Sequence, residues 1–286
     1  MSYTSEALDQ FILLKRRAKL NKPLALLVDN LITHLSRAMV FKLPTNGIIF
    51  PSAVEKKTPL IAMLDKYNVP IRLPFGEIII EFSHHSEDMR GGEPWSKCVC
   101  IACDMSEPGS FQTFARDVLR NQDNEGVFIT SVYWNTDCRS WVPCNCGLLM
   151  NSTGIKAVPM TPEIARQYGP EVALTDLQME MQSVVMLMSA LACTNVKTAQ
   201  VQPSAAVNKK RTIMHKSPIR THHILVLGSE TTNSGAETGT HASPRVHLRR
   251  GHVRRLEAKN VWVNACVVGD KSRGVTTKDY SVKART

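Results

Sequence analysis

The chain has 286 residues, 43% of them hydrophobic and 21% charged, which is ordinary for a globular protein and gives room for one large domain or two smaller ones. Its formal net charge is +10 and its pI is near 9.3, a balance that calls for an acidic partner, with nucleic acid the usual candidate. No stretch of about 18 uncharged apolar residues exists, so a membrane-spanning helix is excluded as a reading.

The first ten residues, MSYTSEALDQ, are polar and acidic and do not read as a secretory leader. Eight cysteines without such a leader are expected to stay reduced, which places the protein in the cytoplasm of its host cell. The charge is unevenly distributed. Residues 1–204 hold 19 Lys and Arg against 20 Asp and Glu, whereas residues 205–286 hold 16 against 5, a net +11 with six of the nine histidines. That segregation predicts two modules.

In chain order, SEALDQFILLKRRAKL (5–20) reads as a helix, with Ser5 as cap, Glu6 and Asp9 in the first turn and basic residues following. A second helix runs from about Pro23 to Met39 on the stripe Leu24, Leu27, Val28, Leu31 and Leu35. Residues 52–66 give a third, interrupted near Pro59. EIIIEF (77–82) and KCVCIAC (97–103) are β-type segments, with FQTFARDVLRN (111–121) helical between them and the next strands. EGVFITSVYWN (125–135) and SWVPCNCGLLM (140–150) read as a hairpin about Asn135, Thr136 and Asp137. Residues 161–194 return to helix, beginning with the cap Thr161 and Pro162 and ending in the apolar VVMLMSALAC (184–193) as a buried amphipathic segment.

TNVKTAQVQPSAAVNKK (194–210) is small and polar and reads as a linker. THHILVLG (221–228) is a strand, SETTNSGAETGTHASP (229–244) a loop, and NVWVNACVVG (260–269) and VTTKDYSV (275–282) two further strands. The expected fold is therefore α+β. A helical N-terminal domain, residues 1–193, surrounds a small antiparallel sheet; a linker, 194–210, leads to a basic β-rich C-terminal module, 211–286.

The densest chemistry lies in SPRVHLRRGHVRRL (243–256), with two histidines and five arginines. If it is extended, Arg245, His247 and Arg249 share one face and Val246 and Leu248 the other. Gly251 lets the backbone bend and bring His252 and Arg254 toward the same surface. Arg245, Arg249, Arg250, Arg254, Arg255 and Lys278 are then the cations for phosphate contact. The same ingredients would serve metal-free RNA cleavage. His247 and His252 would act as acid and base, arginine would stabilise the charged phosphorane, and Tyr280 would supply a hydroxyl.

Two thiol clusters stand apart from this: Cys98, Cys100 and Cys103, and Cys138, Cys144 and Cys146. They would form a zinc site only if the two β segments pair, and their spacing does not match a standard knuckle. His84 and His85 read as part of a polar loop. Glu77 and Glu81 flank EIIIEF without a second acid at a helpful spacing. No cofactor-binding motif occurs: there is no phosphate-binding glycine loop, GxSxG or HExxH.

The segment SPRVHLRRGHVRRLEAKNVWVNACVVGDKSRGVTTKDYSV resembles a tail that recurs in uncharacterised proteins of phages and other mobile elements. Its pattern falls on Pro244, Arg245, His247, Arg249, Arg250, Gly251, His252 and Arg254. It continues through Trp262, Val263, Val268, Gly269, Lys278 and Tyr280. The resemblance covers about 40 residues and implies phage or mobile-element origin without implying a mechanism. The mix of His, Arg and Tyr is similar in ingredients to small RNase toxins. The expectation is a phage-type accessory protein that binds RNA or DNA through its basic module, with a metal-independent ribonuclease as the alternative and a host protein as the remaining partner class.

Overall fold

The segment EIIIEF forms the middle of strand β2 (Glu77–His85), in which Ile78, Ile79 and Ile80 all have zero exposure. A strand with consecutive buried residues must lie in a sheet covered on both faces. The structure, a computed structural model, describes residues 2–17, 19–50, 60–73, 75–85, 95–119, 125–160, 174–227, 245–249, 252–263, 266–268 and 270–275.

The body is built on a nine-stranded mixed sheet of order β7-β6-β4-β3-β2-β1-β9-β8, with β5 paired to β4. The strands are β1 (Met39–Lys42), β2, β3 (Trp95–Asp104), β4 (Val127–Asn135), β5 (Ser140–Pro143), β6 (Cys146–Asn151), β7 (Gly154–Pro159), β8 (Val196–Val201) and β9 (His222–Leu227). Strand β1 runs parallel to both of its neighbours, pairing Val40 with Ile79 on one side and with His222 on the other. The other pairings in this sheet are antiparallel.

Helices cover both faces. On one, α1 (Tyr3–Arg17), α2 (Lys22–Arg37) and α4 (Ser110–Val118) pack Phe11, Leu31, Leu35 and Phe111 against Val40, Ile79, Val99, Ile101 and Phe128. On the other, α3 (Leu60–Lys66) and α5 (Gln178–Leu191) pack Leu64, Val184 and Leu187 against Phe41, Ile78, Ile80, Cys98 and Cys100. The odd and even residues of β2 and β3 thus serve two different cores, as the period of a strand requires. Helix α5 is buried along nearly its whole length, from Met181 to Ala190 apart from Gln182. A helix apolar on all sides is the kind that lies inside a large body rather than on its surface.

The small antiparallel sheet within a helical domain is overturned by this nine-stranded mixed sheet. Three strands escaped the local pattern. MVFK (β1) is only four residues long, and the expected second helix ends on its first residue, Met39, with the other three assigned to no element. VKTAQV (β8) is polar because it is an edge strand, and it lies in the expected linker together with the start of α6 (Ala205–Ile213). GIKAVP (β7) is the opposite edge. Strand β9, expected to open the C-terminal module, pairs instead with β1, about 180 residues earlier. The regions 51–59, 161–173 and 228–244, including the helix start at Thr161 and the expected loop, lie outside the described residues.

Two carboxylates of β2 fix the helices on one face. Glu81, 3% exposed, accepts from Ser2 Oγ at 2.7 Å and from the Thr4 N–H at 2.8 Å, so it closes the N-terminus of α1. Ser2 also accepts from the Ser5 N–H at 3.4 Å, which makes Ser2 the cap in place of the expected Ser5. Glu77 does the same for α4: its Oε1 accepts from the Phe111 N–H at 2.7 Å, and its Oε2 lies 3.2 Å from Nδ1 of the fully buried His34 in α2. The helix supplies no side-chain cap of its own, since its cap position is Gly109. A Cβ there would overlap the Glu77 carboxylate, so glycine is needed for closeness, not for an unusual φ.

Burial alone would push the Glu77 carboxyl up, but the hydrogen bond and charge of His34 and the N–H groups of Phe111 and Gln112 outweigh it and hold it below its ordinary value of 4.5. A lowered carboxyl stabilises the fold above its unfolded value, and that contribution is lost as pH falls. The urea midpoint is therefore expected to fall as pH drops from about 5 to about 3, with Glu77→Gln less stable at neutral pH and less steep across that window. Parallel pH profiles for the wild type and Glu77→Gln would refute this role for the residue.

Candidate nucleic-acid interface

The basic strip SPRVHLRRGHVRRL divides between two small sheets. Strand β10 (Arg245–Arg249) pairs with β13 (Cys266–Val268) and β14 (Asp270–Val275), placing His247 opposite Val268 and Arg245 opposite Asp270. Strand β11 (His252–Arg255) forms a hairpin with β12 (Asn260–Val263), placing His252 opposite Val263. Both halves are extended as expected, but the two histidines belong to different sheets with different partners. Arg250, Gly251, Lys278 and Tyr280 lie outside the described residues.

The β11–β12 hairpin is anchored on the body. Val253 and Trp262 face each other across the hairpin, are 6% and 7% exposed, and join the core that also holds α3 and α5. The Trp262 ring lies 5.0 Å from that of Phe50. Asn195, just before β8, acts as a peptide mimic: its Nδ2 donates to Trp262 O and its Oδ1 accepts from the Trp262 N–H, both at 2.7 Å. Asn260 Nδ2 donates to Tyr67 O at 2.6 Å, and Arg255 Nη1 donates to Lys66 O at 3.1 Å, closing carbonyls at the end of α3.

Packing Val253 inward leaves other positions outward. His252 is half-buried, whereas Arg254 and Arg255 are exposed, as is Lys259 in the turn. Arg254 makes no ion pair among the described residues. Val253, Trp262 and the anchoring groups Arg255 and Asn260 thus share the side turned to the body, while Arg254 lies on the other side opposite the buried Val261 and, with Lys259 of the turn, is the cation the hairpin offers to solvent. Asn195, Asn260 and Arg255 were not legible as anchors, because a polar residue that completes another segment's backbone pairing leaves no local pattern.

The cysteines are distributed by strand parity. Cys98 and Cys100 face the α5 core with Cys144 and Cys146, Cys103 faces the opposite core, and Cys138 is exposed beside Ser140 at 2.9 Å. Burial pushes the thiols of Cys98, Cys100 and Cys103 well up, and nearby carboxylates add to this. Cys144 and Cys146 lie 3.5 Å apart, and their mutual hydrogen bond lowers Cys144 while raising Cys146. Among the described residues no group of three or more His, Cys, Asp or Glu is arranged to hold a metal ion. Protonated, buried thiols behave as small core side chains.

Glu180 of α5 sits among these thiols at 8% exposure, accepting from Cys98 Sγ at 3.4 Å. Burial pushes its carboxyl up, against hydrogen bonds to the backbone, Ser131 and Cys98 that pull it down. A raised carboxyl favours the fold fully only below its unfolded value and penalises it as pH rises.

No protein-family model matches the chain. It matches no curated protein and no solved structure. Among the described residues no helix is long and apolar enough to cross a membrane.

Two outcomes follow from this geometry. Trp262→Ala is expected to lower stability by about 3–5 kcal/mol in urea unfolding, because it empties a site shared by hairpin and body. An unchanged midpoint would mean that the hairpin is not part of the cooperative unit. Glu180→Gln is expected to raise the urea midpoint at about pH 8 and to leave it unchanged near pH 4. Lower stability at the higher pH would show that the charge is compensated where it lies.

Proposed function

We propose that the protein is a phage-type accessory protein that grips nucleic acid through the exposed cations of its β11–β12 hairpin, Arg254 and Lys259. The observation that carries this reading is that anchoring Val253, Trp262 and Arg255 on the body leaves Arg254, on the other side of the hairpin, and Lys259, in its turn, exposed on a fixed frame. The net +11 of residues 205–286 supports it, since 16 Lys and Arg stand against 5 Asp and Glu there. Such a surface binds phosphate without needing base-specific contacts, so RNA and DNA both qualify. The resemblance of residues 243–282 to tails of mobile-element proteins supports the origin.

Fluorescence anisotropy with a labelled single-stranded oligonucleotide tests the reading across a salt series. Wild type should lose affinity steeply with salt, with a log–log slope of about −0.7 for each phosphate contacted. Arg254→Ser should reduce that slope by about 0.7, and Arg254→Ser/Lys259→Ser by about 1.4. Under this reading RNA stays intact in chelator. Cleavage that disappears in both His247→Ala and His252→Ala would replace it with the ribonuclease reading. Absence of binding at low salt would remove both and leave a host protein as the partner.

A further inference from the structure

A second feature lies at the opposite end of β8 from the hairpin, about 20 Å away along the strand. Here the first residues of β1, β2 and β9, which run parallel, open into a cleft of about 640 Å³. That volume falls within the range of small-molecule sites, roughly 300–1,000 Å³. Arg37 at the end of α2, Arg220 and His223 around the start of β9, and Gln200 and Gln202 of the β8 end contribute to its lining, with Glu77 and Gly109 also present.

Several of these groups are committed to the fold. Glu77 is held by His34 and the Phe111 N–H. Arg220 closes the C-terminus of α2, its Nη1 donating to Leu35 O at 3.0 Å and its Nη2 to Arg37 O at 2.7 Å. The Gln202 Oε1 accepts from the Thr221 hydroxyl at 2.7 Å, which leaves its amide donors. The Arg37 guanidinium is exposed and makes no hydrogen bond or ion pair among the described residues, and the Gln200 amide likewise makes none. Buried His223 Nδ1 has no hydrogen-bond partner among them either.

What remains uncommitted is one cation, the Gln200 amide, the amide nitrogen of Gln202 and an imidazole. With two guanidiniums against one internally neutralised carboxylate, the lining favours an anion. An aromatic wall adjoins them. Phe75 is 36% exposed, and its ring and that of His223 lie 6.0 and 5.4 Å from the buried ring of Phe41. Ring faces select a planar group, and a glutamine amide matches the paired donor and acceptor on the edge of adenine. We propose that this cleft binds an adenine nucleoside monophosphate. Arg37 takes the phosphate, the Gln200 and Gln202 amides take the base edge, and Phe75 stacks on the base.

The site is independent of the hairpin, and its test separates the two. Isothermal titration of the full chain with AMP, adenosine and inorganic phosphate should give saturable AMP binding tighter than either fragment. Arg37→Gln should weaken AMP about tenfold and leave adenosine unchanged, as the loss of one charge-assisted contact requires. Gln200→Ala should weaken AMP and adenosine together, and Arg254→Ser should change neither. Urea midpoints equal to wild type confirm that both cleft variants fold. AMP that binds no better than phosphate, or AMP affinity unaffected by Arg37→Gln, overturns the proposal whatever the oligonucleotide experiment gives.

Discussion

The carboxylates of Glu77 and Glu81 impose the constraint on which one whole layer of the structure depends. They lie four residues apart on β2, so both point to the same face of the sheet as Ile79. A buried carboxylate is costly unless it is hydrogen-bonded, and each here is satisfied by the free N–H groups at a helix N-terminus. Apolar packing alone would let α1 and α4 slide along the sheet. The need to bring each helix end onto its carboxylate removes that freedom. Through His34, Glu77 also ties α2 to the same point, so one strand sets the position of three helices.

The parallel insertion of β1 between β2 and β9 governs the other end of the molecule. It brings residues from the C-terminal quarter into the same sheet as residues near 40, and it aligns three strand starts at one edge. The cleft follows from that alignment, because the chain must leave each strand start in a different direction. Arg220 then closes the C-terminus of α2. A residue that completes the fold thereby also brings a positive charge to the cleft wall.

Local structure was legible where amphipathic or apolar period was strong. SEALDQFILLKRR, EIIIEF, KCVCIAC and EGVFITSVYWN carry their secondary structure in their own side chains, and each appears close to its expected bounds. VKTAQV does not, because an edge strand half open to water needs no apolar run. The pairing of Val40 with His222 is not local at all, so no window of sequence could contain it. The site followed the same division. Arg254 and Arg255 were evident from composition, whereas Asn195 was hidden because its role depends on the backbone of Trp262, 67 residues away. The spacing of Glu77 and Glu81 was available, since an even separation along a strand means a shared face. Its meaning depended on which helix ends would arrive there.

The way the hairpin is anchored bears on the grip proposed for it. A flexible basic tail has to be ordered when it meets a polyanion, which subtracts from its affinity. The β11–β12 hairpin is ordered beforehand by a buried tryptophan, an asparagine that completes its backbone pairing, and two contacts to the end of α3. Its outward arginine is therefore held on a fixed frame. Fixed spacing between cations suits a regular phosphate backbone better than a diffuse cloud of charge does. It also gives Trp262, a residue with nothing cationic about it, a role in the most basic quarter of the chain: its burial with Val253 turns Arg254, the next residue along β11, to the other side of the hairpin.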